Sequence, residues 1–165
     1  MTWLSLVAAG AVVGVAAWSG DPKPVDPRCE RLLPVAVADR LAGHTDLALY
    51  GRGAIPAGGG TCNYATAVKK MVFLVSLIDM KSRAAADFDR KKADPAYTAN
   101  QHELAGVGDE AFTGGSNEHL LVARKGSVIV SVAAMVTMDR ATHRMHATLT
   151  RDQLVAIGKQ VVAGL

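Results

Sequence analysis

Residues 120–138, LLVARKGSVIVSVAAMVTM, set two apolar runs on either side of Lys125-Gly126. In the longer run Val128, Val130, Val132, Ala134 and Val136 fall on one face, and Ser127, Ser131 and Thr137 fall on the other. That period of two is the pattern of a half-buried antiparallel strand. Lys125-Gly126 is then a two-residue hairpin turn in which glycine takes the positive φ. Working upstream, Met71–Met80 (MVFLVSLIDM) is apolar on both faces apart from Ser76 and Asp79, as for a central strand. Thr61–Ala67 reads as its hairpin partner across Val68-Lys69-Lys70, and a second strand group begins near Glu110. Strands grouped by hairpin turns, with no regular βαβ alternation, predict the α+β class: an antiparallel sheet with helices packed on it.

Three helices are expected around these strands. Pro34 suits a first helical turn, Val35, Ala38 and Leu41 follow at helical spacing, and Gly43 supplies a left-handed stop. Ser82 is placed to cap a helix through Ala93 with Ala85 and Phe88 inward, ended by Asp94-Pro95. Its charges, Asp87, Asp89, Arg90, Lys91 and Lys92, read as a solvated face. Thr150-Arg-Asp-Gln153 is a capping box opening a helix to Gly164, with Leu154, Ile157, Val161 and Leu165 as its inner stripe. The expected order is helix, two strands, helix, two or three strands, helix.

With 165 residues, half of them hydrophobic, the chain has material for one core, and an aromatic content of 5% makes that core one of small aliphatic side chains. The net charge of +3 is spread among nearly as many acids as bases, which excludes a nucleic-acid-binding stripe. No formal side-chain charge occurs before residue 20, so Trp3–Ser19 is read as a signal peptide or membrane anchor occupying residues 1–19. Ala17-Trp18-Ser19 offers small residues flanking a cleavage point before Gly20. Residues 20–28, GDPKPVDPR, read as a proline-rich tether, and residues 29–165 as the folded domain. Against export stands the absence of a basic start, with Lys23, Arg28 and Arg31 all following the apolar run. The competing reading is a cytoplasmic protein with a buried N-terminal helix.

The two cysteines, Cys29 and Cys62, are read as one disulfide in an exported chain or as free buried thiols in a cytoplasmic one. They do not make a structural zinc site, which needs four ligands. The glycine-rich Gly51–Gly60 lacks the Lys-Ser/Thr pair of a phosphate loop. His143 and His146 would share a face if helical and could begin a metal site with His119 or Asp139. Asp109-Glu110 is a carboxylate pair that could serve acid–base chemistry, or simply satisfy amides after the Gly108 turn. Ser116 and Ser131 lie in no nucleophile elbow. No catalytic, cofactor-binding or metal residue is assigned.

Cys29 followed by Leu32-Leu33-Pro34, then Thr61-Cys62-Asn63-Tyr64, then Gly106-Val107-Gly108-Asp109-Glu110-Ala111-Phe112 resembles an actinobacterial family of secreted or lipid-anchored envelope proteins of unassigned function. More distantly the chain is similar to the extracellular sensor domains of mycobacterial receptor kinases. The resemblance spans Cys29 to Leu165 and implies that Cys29 and Cys62 are paired. The family's lipidated cysteine has no counterpart near Trp18-Ser19-Gly20. The resulting expectation is an exported envelope binding or sensor module without catalytic activity or cofactor. Its partner would be an envelope protein or a small apolar or cell-wall ligand, not nucleic acid, with membrane association through residues 3–19 where these are uncleaved. The rival expectations are a metal-binding protein or enzyme using His143 and His146, and a structural or assembly factor.

Overall fold

The computed structural model describes residues 26–51 and 59–165; the apolar segment, residues 20–25 of the tether and most of the glycine-rich loop lie outside the described residues. Strands β1 (Leu47–Gly51), β2 (Gly60–Thr66), β3 (Met71–Asp79), β4 (His102–Leu104), β5 (Glu110–Gly114), β6 (Leu120–Lys125) and β7 (Val128–Ala134) form one seven-stranded sheet. Its order is β1-β2-β3-β7-β6-β5-β4, and every neighbouring pair is antiparallel. After β3 the chain leaves the sheet through a 3₁₀ turn at Lys81–Arg83 and helices α3 (Ala84–Ala93) and α4 (Pro95–Thr98). It returns at the far edge as β4 and steps inward by hairpins until β7 meets β3. Helices α1 (Pro27–Leu32), α2 (Val35–Ala42) and α5 (Arg151–Ala163) complete an antiparallel α+β domain. Among the described residues no helix is long and apolar enough to cross a membrane.

The strand register decides which side chains share a face. Cys62, Val75, Val132 and Leu121 form one cross-strand row, and Tyr64, Phe73 and Ala134 form the next. These residues are buried, and Leu32, Leu33, Ala38, Leu154, Ile157 and Val161 of the helical layer pack on them. Tyr64 stacks on Phe73 with centroids 4.5 Å apart, and its hydroxyl donates to the Leu33 carbonyl at 2.6 Å. Stacked rings add to area burial, and a buried hydroxyl needs such a partner. The opposite face carries a second, smaller core in which Phe88 of α3 meets Phe112, Val122 and Ile129.

Local sequence accounts for the element ends. Gly43 ends α2 at φ +71°, and the Thr150 capping box forms reciprocally, with Gln153 N–H donating to Thr150 Oγ1 and Thr150 N–H to Gln153 Oε1. Gln153 also donates through Nε2 to the Ala42 carbonyl at 2.9 Å, tying α5 to the end of α2. Leu154, Ile157 and Val161 are fully buried, whereas Leu165 lies beyond the last turn and is 47% exposed. The disulfide joins Cys29 of α1 to Cys62 of β2.

Four details differ from the sequence reading. Pro27 and Arg28 are helical, because Asp26 caps α1 by accepting the Arg28 N–H, so the ordered domain starts before Cys29. Strands β1 and β4, the two edges of the sheet, and the short helix α4 are elements that the reading did not contain. Helix α3 turns Ala84, Asp87 and Phe88 inward rather than Ala85, and Asp79, not Ser82, accepts the leading amide, that of Lys81. The long alternating strand stops at Ala134: Met135 N–H donates to the Val72 carbonyl, and β8 (Val136–Asp139) pairs with β9 (Arg144–Ala147) as a separate two-stranded ribbon.

A candidate ligand cleft beneath helix α3

Ile78 and Ile129 are directly opposed across β3 and β7 on the face away from the main core. Helix α3 crosses β6 and β7 there, anchored by Phe88 set edge-on to Phe112 with centroids 5.5 Å apart. Asp94 stops α3 and at once caps α4 by accepting the Ala96 N–H, which turns the chain and brings Tyr97 to the same side. A cleft of about 310 Å³ remains, lined by Ile78, Met80, Asp87, Arg90, Lys91, Asp94, Tyr97 and Ile129. Its volume is at the small end of the range used for organic ligands.

The lining is an apolar floor with charge above it. Lys91 is engaged with Tyr97, its ammonium 5.1 Å from the ring centroid and donating to the phenol oxygen at 3.3 Å. Arg90, mostly in solvent, reaches back to Asp87 Oδ1 at 2.6 Å. Asp87 itself retains 7% of its side-chain exposure, and its second oxygen, Oδ2, has no hydrogen-bond partner within the protein. A buried carboxylate oxygen is an acceptor that strongly favours a donor beside it. Two other buried polar atoms among the described residues are unpartnered, Thr113 Oγ1 and His119 Nδ1, and neither residue lines this cleft.

The residues singled out from sequence take structural posts. His143 stands in the β8–β9 turn at φ +54° and His146 lies on β9, where its Nε2 is 3.1 Å from Thr137 Oγ1. The common helical face proposed for them does not form. Asp139 accepts the Ala141 and Thr142 amides and so closes the same turn, which holds its carboxyl below the usual range. His119 immediately precedes β6, and burial pushes the pKa of its imidazole down. Among the described residues no three His, Cys, Asp or Glu side chains come together as a metal site. Ser116 lies in the β5–β6 turn, and Ser131 faces Ser76 and Val122 across the sheet.

Asp109 and Glu110 are a clamp on the β6–β7 hairpin. Asp109 Oδ2 accepts the Gly126 N–H at 2.7 Å, and Glu110 Oε2 accepts Arg124 Nε at 2.8 Å. The Gly126 amide, with the Lys125 and Arg124 cations, holds the Asp109 carboxyl below the usual carboxylate range. The pair therefore takes the satisfied-amide reading of the two given above.

Asp87 is the functional candidate that sequence reasoning missed, since a run of charges on one helix reads as a solvated face. The available signal was its position next to Phe88 and three residues after Ala84, which places it on the inner side of α3. No protein-family model, no curated protein and no solved structure matches the chain.

Proposed function

We propose that this chain is an exported, non-catalytic binding module, and that the α3 cleft takes a small ligand with an apolar body and a positively charged nitrogen donor. The observation that carries the cleft reading is Asp87 Oδ2, a buried carboxylate oxygen without a protein partner at the wall of an apolar hollow. An ammonium group would give Oδ2 the donor it lacks, while Arg90 already holds Oδ1. A carboxylate ligand at the same place would oppose the Asp87 charge. Ile78, Met80, Ile129 and the Tyr97 ring receive the apolar part. The Cys29–Cys62 bridge supports a location outside the reducing cytoplasm, as does the resemblance carried by the Cys29, Thr61–Tyr64 and Gly106–Phe112 motifs.

Three probes of one shape test the cleft: benzylamine, benzyl alcohol and benzoate, titrated calorimetrically into the full chain and into Asp87→Asn. Benzylamine is expected to bind the native protein more tightly than the alcohol, with benzoate weakest, and Asp87→Asn is expected to erase that ranking. Benzoate binding as well as benzylamine, or a ranking unchanged in Asp87→Asn, overturns the reading. Export is tested separately by intact mass of the protein from its host. Full-length protein with two free thiols would contradict it.

A further inference from the structure

Five large hydrophobic side chains are exposed among the described residues: Val68, Met135, Met138, Met145 and Leu165. All but Leu165 lie at one end of the sheet. Val68, 83% exposed, sits in the β2–β3 turn, and Met138 and Met145, 59% and 52% exposed, face each other across the β8–β9 ribbon. The two protrusions share a root. Val72, one residue into β3, accepts the Met135 N–H at its carbonyl, accepts Thr148 Oγ1–H at the same oxygen, and so fixes the base of the ribbon beside the β2–β3 turn.

Basic side chains flank each apolar tip. Lys69 and Lys70 follow Val68, while Arg140 and Arg144 flank the turn between Met138 and Met145. None of the four makes an ion pair among the described residues. Two acids nearby accept backbone amides: Asp46 accepts the Ala67 N–H and stands 3.9 Å from His44, and Asp139 accepts the two amides of its own turn. Glu118, in the β5–β6 turn at this end, is 3.5 Å from His102. An isolated two-stranded ribbon is marginally stable in water, and exposed apolar residues gathered in one place mark an interaction site.

We infer that this end of the domain is a docking surface for an anionic lipid membrane, with Val68, Met138 and Met145 entering the interface and Lys69, Lys70, Arg140 and Arg144 meeting the headgroups. Apolar residues on convex loop tips, ringed by unpaired cations, match a surface that is soft, apolar a few ångströms down and negative on top. The chain enters the described domain at Asp26, against Gly60 at the opposite end of β2. The proposal does not rest on the cleft reading.

The test is co-sedimentation of the full chain with vesicles of phosphatidylcholine alone and of equimolar phosphatidylglycerol and phosphatidylcholine. Because Trp3–Ser19 can itself partition, the readout is the ratio of the two affinities. A basic side chain near an anionic surface contributes about fivefold, so K69A/K70A is expected to lower the ratio about 25-fold, and R140A/R144A similarly. M138S/M145S is expected to weaken binding to the anionic vesicles while leaving its salt dependence in place. An environment-sensitive label on Met138→Cys should shift to the blue on anionic vesicles, and the same label on Ser82→Cys, at the other end of the sheet, should not. All these positions are exposed, and circular dichroism verifies that each variant is folded. A ratio of one, a ratio unchanged by the charge variants, or equal label responses at the two positions overturns the proposal; in the second case the anionic preference belongs to another part of the chain.

Discussion

Gly106 and Gly108 flank the buried Val107 in one short motif and share a left-handed backbone, at φ +73° and +66°, but their surroundings differ. A Cβ at Gly106 would have no atom within 4 Å, whereas at Gly108 it would stand 2.4 Å from the Arg124 carbonyl oxygen. Gly106→Ala therefore carries only the backbone strain of an L-residue at positive φ, about 1–2 kcal/mol. Gly108→Ala carries that strain and a collision with the backbone of β6, which yields only by moving Arg124. Moving Arg124 lengthens the 2.8 Å bond from Asp109 N–H to its carbonyl and disturbs its pairs with Asp109 and Glu110. Overpacking of this kind adds about 1–3 kcal/mol, for a total of about 2–5 kcal/mol. In urea unfolding followed by far-ultraviolet circular dichroism, with a slope of about 2 kcal/mol/M, the midpoints should fall by about 0.5–1 M and about 1–2.5 M respectively. Equal shifts in the two variants, or a larger one for Gly106→Ala, would refute the claim that close approach at Gly108 sets this corner of the fold.

Reducing the disulfide, whose half-cystines are 33 residues apart, should cost about 3.7 kcal/mol in the chain-entropy treatment; urea midpoints with and without reductant measure it, and an unchanged midpoint would show that the bridge does not restrain the unfolded chain. Tyr64→Phe leaves the Leu33 carbonyl without its donor and should cost about 1–2 kcal/mol at neutral pH. Burial, and secondarily the Glu30 charge, raise the Tyr64 phenol above its ordinary value, so its contribution is intact below about pH 10 and declines as pH rises further, because the unfolded chain ionises first. Tyr64→Phe should flatten the alkaline limb of a midpoint-against-pH profile, and a limb of unchanged slope would assign alkaline unfolding to other groups. Thr150→Ala removes one half of the capping box at α5 and should lower stability by about 1 kcal/mol, measured by the same denaturation; no loss would mean that Gln153 suffices alone.

What could be read from the chain was whatever rests on local chemistry. The Thr150–Gln153 box, Gly43 at the end of α2 and the Lys125-Gly126 turn are each decided by a few adjacent residues, and each stands where their chemistry puts it. The misses belong to tertiary context. Strand β1 is five residues on an edge, too short to show a period, and it takes its identity from pairing with β2. The alternation of β7 runs on into Val136 and gives no local sign of a break; the chain changes partner at Met135, whose N–H still bonds the Val72 carbonyl in the β3–β7 register while its carbonyl accepts the Thr148 N–H in the β8–β9 register. His143 and His146 have a spacing that suits a helix face, but Asp139 folds the intervening residues into a turn. Asp87 is illegible for a related reason: its neighbours in sequence are mostly charged, while the cleft it lines also takes in Ile78, Ile129 and Tyr97 from elsewhere in the chain.

Cys29 has no exposed surface and Cys62 has 3%, and exchange with an outside thiol requires a thiolate to arrive in line with the bridge. In the finished domain the two half-cystines offer almost no surface to such an approach. A bridge formed before the first helix settles is therefore shielded once α1 is down. From then on a reducing environment acts at the pace of unfolding rather than at the pace of sulfur chemistry. The lifetime of the bridge belongs to the whole core that lies over it.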